Sequence, residues 1–145
     1  MDDQFKREIL MDHYQHPHNK SLVEGDDRYK SIHNASESCI DDITVQMLIE
    51  DDQVKDVRFD GIGCTICTAS CSIMSDLLKG KSIKEAKNIL NNYENMVNET
   101  GEFDPDLLEE ANAFDTLSNQ ANRIKCGTIG IHAMEDLIKN YEQGK

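Results

Sequence analysis

In the stretch DGIGCTICTASCSIM, residues 60–74, Cys64, Cys67 and Cys71 fall within eight positions of one another. Thiolates ligate zinc and iron and attack sulfur, so the first question is whether these three make a complete metal site. The pattern after Cys64 is helical. On a helix Cys64 and Cys67 share a face, but Cys71 lies seven residues on from Cys64, about 10 Å along the axis. Sulfurs around one tetrahedral zinc stand only about 4 Å apart. One straight helix therefore cannot bring all three to one ion, and the fourth cysteine of the bacterial ferredoxin run is missing. Cys67 and Cys71 read as small, buried helix residues packed against the sheet.

Other cysteines are better placed. Cys64 stands where a strand ending in GIG gives way to a helix, and helix N-terminal amides stabilise a thiolate. Cys126 is expected in a similar position at the start of the last helix, with Lys125 beside it and Arg123 close by. Those positive charges are expected to lower its pKa. In SCIDD, Cys39 and Asp41 are two apart and project alike in an extended chain. Together with Cys64 and Cys126 they make a Cys₃Asp set suited to zinc or ferrous iron. For any one position a buried, inert cysteine is the alternative, and spacing does not decide between the two.

The elements that must hold these residues follow from capping and periodicity. A first helix over DDQFKREILMDHYQHP is capped by Asp2 or Asp3, carries Phe5, Ile9 and Tyr14 near one face and ends at Pro17. A possible strand lies around Tyr29–His33. DITVQMLI alternates like a strand, EDDQ turns the chain, and VKDVRFDGIG returns as the second arm of a hairpin. A helix from Cys64 stops at Gly80, and SIKE supplies a capping box, Ser82 with Glu85, for a helix to about Val97. Asp104-Pro105 opens a helix to about Leu117; SNQANRIK reads as a linker, and the last helix runs from about Cys126 to Tyr141. Strands first and helices afterwards predict an α+β fold, a small antiparallel sheet of about three strands with helices packed on one side. Residues 1–145 are expected to form one domain.

Composition narrows the setting. A net charge of −13 argues against nucleic acid or an anionic membrane as partner. It suits docking on a basic protein surface, or plain solubility. No apolar run is long enough for a membrane span, and the acidic start MDDQFKREIL does not read as a secretory signal. A cytoplasmic location is the resulting expectation, with thiols kept reduced; five cysteines cannot all pair internally in any case. The five histidines, His13, His16, His18, His33 and His132, read mostly as surface or packing residues, none spaced from another as a metal pair.

The chain resembles the IscU/SufU family of iron–sulfur cluster assembly proteins (NifU N-terminal-like), and is most similar to its SufU branch. REILMDHYQHPHNK is similar to the family's opening helix and its DHY-x-x-P-x-N segment. SCIDD stands at the family's C-G-D motif, with Ile40 in place of the glycine. FDGIGCTICTASCSIM matches its F-x-G-x-G-C-x-I-S-x-A-S stretch, and RIKCGTIG leads into the terminal helix. Lys125, where IscU-type scaffolds carry a histidine ligand, and the long segment between Cys64 and Cys126 favour SufU. The resemblance implies a SufE/NifU-like fold and a metal site formed by Cys39, Asp41, Cys64 and Cys126. Zinc is the implied metal, with iron or a [2Fe–2S] cluster as the alternative. It also implies sulfur transfer from a pyridoxal-phosphate-dependent cysteine desulfurase of SufS type, alongside other iron–sulfur assembly proteins.

Within that reading Cys39, on a loop, is the sulfur acceptor, since thiol exchange needs deprotonation and access. Arg123 is a candidate for steadying negative charge, with a surface ion pair as the alternative. Two other functions stay open at this point: a scaffold that itself builds a [2Fe–2S] cluster, and a zinc-stapled interaction module without transfer chemistry.

Overall fold

The computed structural model describes residues 1–36 and 40–144. Helix α1 (Asp3–Gln15) is capped by Asp2, whose side chain accepts the Phe5 amide. Three strands follow, β1 (Tyr29–Ala35), β2 (Asp42–Glu50) and β3 (Gln53–Ile62), paired antiparallel in the order β1-β2-β3. Then come α2 (Thr65–Leu78), α3 (Ile83–Asn98), the single turn α4 (Pro105–Leu108) and the long α5 (Ala121–Gln143). This is the expected α+β arrangement.

The β2–β3 hairpin turns through Asp51 and Asp52, both at positive φ (54° and 60°), the backbone of a tight two-residue turn that matches strand twist. Tyr141 of α5 pins it, its hydroxyl oxygen accepting the Asp52 amide at 3.0 Å. Ile43, Val45 and Met47 of β2 and Val57 and Phe59 of β3 are buried in one core with apolar residues of α2, α3 and α5, with Val45 opposite Phe59 and Met47 opposite Val57. On the other face, Gln46 is held by the strap before β1, exchanging hydrogen bonds with the Val23 backbone at 2.8 and 2.9 Å.

Three local expectations give way. Phe5 and Tyr14 of α1 are exposed, and the buried pair is Ile9 and His13, four apart. His13 Nδ1 hydrogen-bonds the buried Ser72 hydroxyl of α2 at 2.7 Å, so a polar contact anchors α1 where an apolar face was expected. The predicted helix over 104–117 is one α turn followed by 3₁₀ turns over Glu109–Phe114 and Leu117–Asn119. Leu108, Ala111, Phe114 and Leu117 are buried at every third position, with Ala113 buried beside them, and a three-residue spacing is the 3₁₀ period, not the α period. Finally, α5 begins at Ala121. Ala121, Arg123 and Lys125 are strong helix formers, and the last five residues of the polar string that suggested a linker, 121–125, are the first turn and a half of the helix.

Candidate metal centre

Three parts of the fold converge at one end of the hairpin. Asp41 precedes β2 and Cys64 comes just after β3, and the last ladder pair, Asp42 opposite Ile62, sets the two side by side. Gly61 makes this close approach possible. Its φ is +129°, and a Cβ there would stand 2.3 Å from the Asp42 carbonyl oxygen. Asp41 is buried, its Oδ1 accepting the Cys64 amide at 2.8 Å and its Oδ2 lying 3.8 Å from Cys64 Sγ.

Cys64 is the N-cap of α2, and its sulfur accepts the Cys67 amide at 3.4 Å. This is the helix-start environment expected from the sequence. Cys126 arrives from the opposite side on α5. Two contacts fix that helix: the Tyr93 hydroxyl of α3 donates to the Gly127 carbonyl at 2.7 Å, and Gly130 lets α2 approach closely, since a Cβ there would lie 2.3 Å from Cys71 Sγ. One ligand atom each from Asp41, Cys64 and Cys126 lies within 4.8 Å of the other two.

Cys126 departs from expectation in its electrostatics. It is the sixth residue of α5, past the amides that stabilise an anion. Lys125 and Arg123 are exposed. Burial, the neighbouring Cys64 thiol and Asp41 push the Cys126 thiol up to about 12, the reverse of the predicted lowering. Two thiols and a carboxylate packed this tightly cannot all be anionic without a cation among them, so the donor set fits a bound dication. Cys39 lies outside the described residues. The chain on either side of it is drawn together by the Ser36 amide donating to the Asp41 carbonyl at 2.9 Å.

Cys67 and Cys71 are fully buried in α2. A hydrogen bond with Cys71 and burial push the Cys67 thiol up, away from thiolate chemistry. Arg123 makes no ion pair among the described residues. Ile40, the residue in the glycine position of the C-G-D motif, is 67% exposed.

One grouping escaped the sequence reading. Glu94 of α3 meets His132 and Glu135 of α5, ligand atoms again within 4.8 Å of one another. The only signal along the chain is the three-residue spacing of His132 and Glu135; Glu94 is 38 positions away from the nearer of them.

Comparison with known proteins gives the chain its family. The family described as NifU-like N terminal domain matches residues 5–145. The zinc-dependent sulfurtransferase SufU of Bacillus subtilis (strain 168) is 33% identical over 143 residues, covering 98% of this chain and 95% of its own. The iron–sulfur cluster assembly scaffold protein IscU of Streptococcus pyogenes serotype M1 is 32% identical over 133 residues, 90% and 80% of the two chains. Among solved structures, a protein of Fervidobacterium islandicum AW-1 assigned as an iron–sulfur cluster assembly scaffold for the SUF system superposes with a TM-score of 0.79. It shares 30% identity over 88% of this chain and 92% of that one. On sequence and on fold alike, the chain belongs to the NifU-like N-terminal-domain family of iron–sulfur cluster assembly proteins.

Proposed function

We propose that this protein is a SufU-like, zinc-dependent acceptor of persulfide sulfur, working in the cytoplasm with a pyridoxal-phosphate-dependent cysteine desulfurase and passing sulfur on to other iron–sulfur assembly proteins. The observation that carries the reading is the convergence of Asp41, Cys64 and Cys126 in a chain 33% identical to a zinc-dependent sulfurtransferase along nearly its whole length. Asp41, Cys64, Cys126 and Cys39 would hold the metal. Cys39 stands two residues before Asp41, and two residues of chain reach at most about 7 Å. Bound zinc would keep the thiols deprotonated at neutral pH, against the upward shift that burial and its neighbours impose on Cys126.

The transfer itself is a thiol exchange. The Cys39 thiolate attacks the terminal sulfur of the desulfurase persulfide, a new S–S bond forms on Cys39, and the enzyme's own S–S bond breaks. The desulfurase cysteine leaves as a thiolate, and no net oxidation occurs. Asp41, buried and hydrogen-bonded to the Cys64 amide, keeps its place while Cys39 reacts. Arg123, exposed at the start of α5, is available to steady the charge of the incoming persulfide.

Alanine release by a cysteine desulfurase tests the proposal. Adding the zinc-loaded protein should raise turnover at least about tenfold. Cys39→Ala should abolish the increase while still folding, and Cys64→Ser and Cys126→Ser should abolish it together with zinc binding. Undiminished stimulation by Cys39→Ala, or none by the wild type, defeats the assignment. The similarity to an IscU scaffold favours a second reading, assembly of a [2Fe–2S] cluster on the same residues. Anaerobic reconstitution with ferrous iron and sulfide decides it: visible sulfur-to-iron absorption stable to desalting would replace the acceptor reading with the scaffold.

A further inference from the structure

The face shared by α3 and α5 carries a second convergence of ligand atoms, chemically unlike the first. His132 and Glu135 are three apart on α5, a spacing that puts both side chains on one face of a helix, and Glu94 meets them from α3. His132 lies six residues beyond Cys126, about 9 Å along the axis and on a different face.

The contacts within the group are those of atoms gathered around a common point. Nε2 of His132 is 3.0 Å from Oε1 of Glu94, yet Oε1 is buried and accepts no hydrogen bond. The close approach therefore lacks the direction of a hydrogen bond. The other oxygen of the same carboxylate is satisfied, Oε2 accepting Asn98 Nδ2 at 2.7 Å. Among the described residues no lysine or arginine pairs with Glu94 or Glu135. Two carboxylates thus share one imidazole. A buried carboxylate oxygen without a donor is rare in folded proteins and calls for an ion or another partner.

We propose that Glu94, His132 and Glu135 form a second metal site, separate from the cysteine centre, that binds a divalent first-row transition-metal ion and ties α3 to α5. One imidazole and two carboxylates form a borderline-to-hard donor set, suited to Zn²⁺, Fe²⁺, Mn²⁺ or Co²⁺ and poor for the soft ions that thiolates select. The His132 side chain is 55% exposed, so the site opens to solvent and water completes its coordination. The ion would clamp to α3 the same helix that carries Cys126.

Titration of the intact, zinc-loaded protein with Co²⁺ tests this, with bound metal counted by equilibrium dialysis. The expected result is one further equivalent per chain, without the sulfur-to-cobalt charge transfer that thiolate ligation produces, and a melting temperature raised by the added ion. His132→Ala removes an exposed side chain, and together with Glu135→Gln it should weaken that equivalent at least about tenfold and remove the thermal shift. Zinc at the cysteine centre should be unaffected. Failure of the wild type to bind the extra equivalent, or its survival in the double variant, overturns the proposal, as does thiolate charge transfer in its place. The desulfurase assay plays no part in this outcome, so the two proposals fail separately.

Discussion

Gly61 shows how much of the candidate metal centre rests on one missing side chain. Its φ of +129° already disfavours other residues, and a Cβ would stand 2.3 Å from the Asp42 carbonyl oxygen, with the Ile43 Cα at 2.9 Å. Neither obstacle is a flexible side-chain tip, so the strands would have to part at the pair that seats Asp41 against Cys64. Gly61→Ala should therefore cost about 1–3 kcal/mol in urea denaturation and also weaken zinc binding in a chelator competition. Loss of stability with unchanged zinc affinity would show that the hairpin end does not set the ligand spacing. Residues tied to local backbone were legible in the sequence. Cys64 had to stand at a strand-to-helix junction, and Asp41 had to lead into a strand. The environment of Cys126 was not legible, because its raised pKa comes from burial, Cys64 and Asp41, groups far away in sequence. The same holds for Glu94, which only the packing of α3 on α5 brings to His132.

At the scale of elements, the sheet is tied to the helices by a few polar contacts as well as by its apolar face. Asp56 of β3 accepts the Tyr29 hydroxyl of β1 and pairs with Lys79 at the end of α2 at 3.0 Å. Burial works to raise its pKa, but the hydrogen bonds from Tyr29 and Lys79 outweigh it and hold the carboxyl below its ordinary 3.8. A depressed carboxyl contributes stability that is fully present above the unfolded value and is lost as pH falls through the folded one. Wild type should thus exceed Asp56→Asn in denaturant midpoint at neutral pH, with the gap closing below about pH 4; a gap that persists there would assign the loss to packing instead of charge. Element types were readable from caps and periods: the Ser82–Glu85 capping box is present with both of its hydrogen bonds, and Gly80 sits at positive φ just past α2. The 104–117 segment was misjudged because a cap and a proline fix only where a helix starts. Beyond that start, the three-residue spacing of buried Leu108, Ala111, Phe114 and Leu117 matches the 3₁₀ turns the chain takes.

For the molecule as a whole, the decisive quantity is a net charge of −13 on a chain whose cysteine centre is flanked by exposed Ile40 and Ile62, at 67% and 66%. The two features act over different distances. Apolar side chains contribute only on contact and bear mainly on how long a complex lasts, whereas an excess of charge acts before contact and sets how often partners meet. A desulfurase that delivers sulfur here must approach through a negative field, so its docking surface should be basic around an apolar centre. Salt separates the two contributions, because the screening length shrinks from about 10 Å at 0.1 M to about 3 Å at 1 M. Stopped-flow association of the two proteins should slow by about tenfold over that range, with the dissociation rate changing far less. Ile62→Ser should do the opposite, leaving the association rate in place and shortening the life of the complex. An association rate indifferent to salt would mean that the charge serves solubility alone, and that the apolar rim of the centre carries recognition.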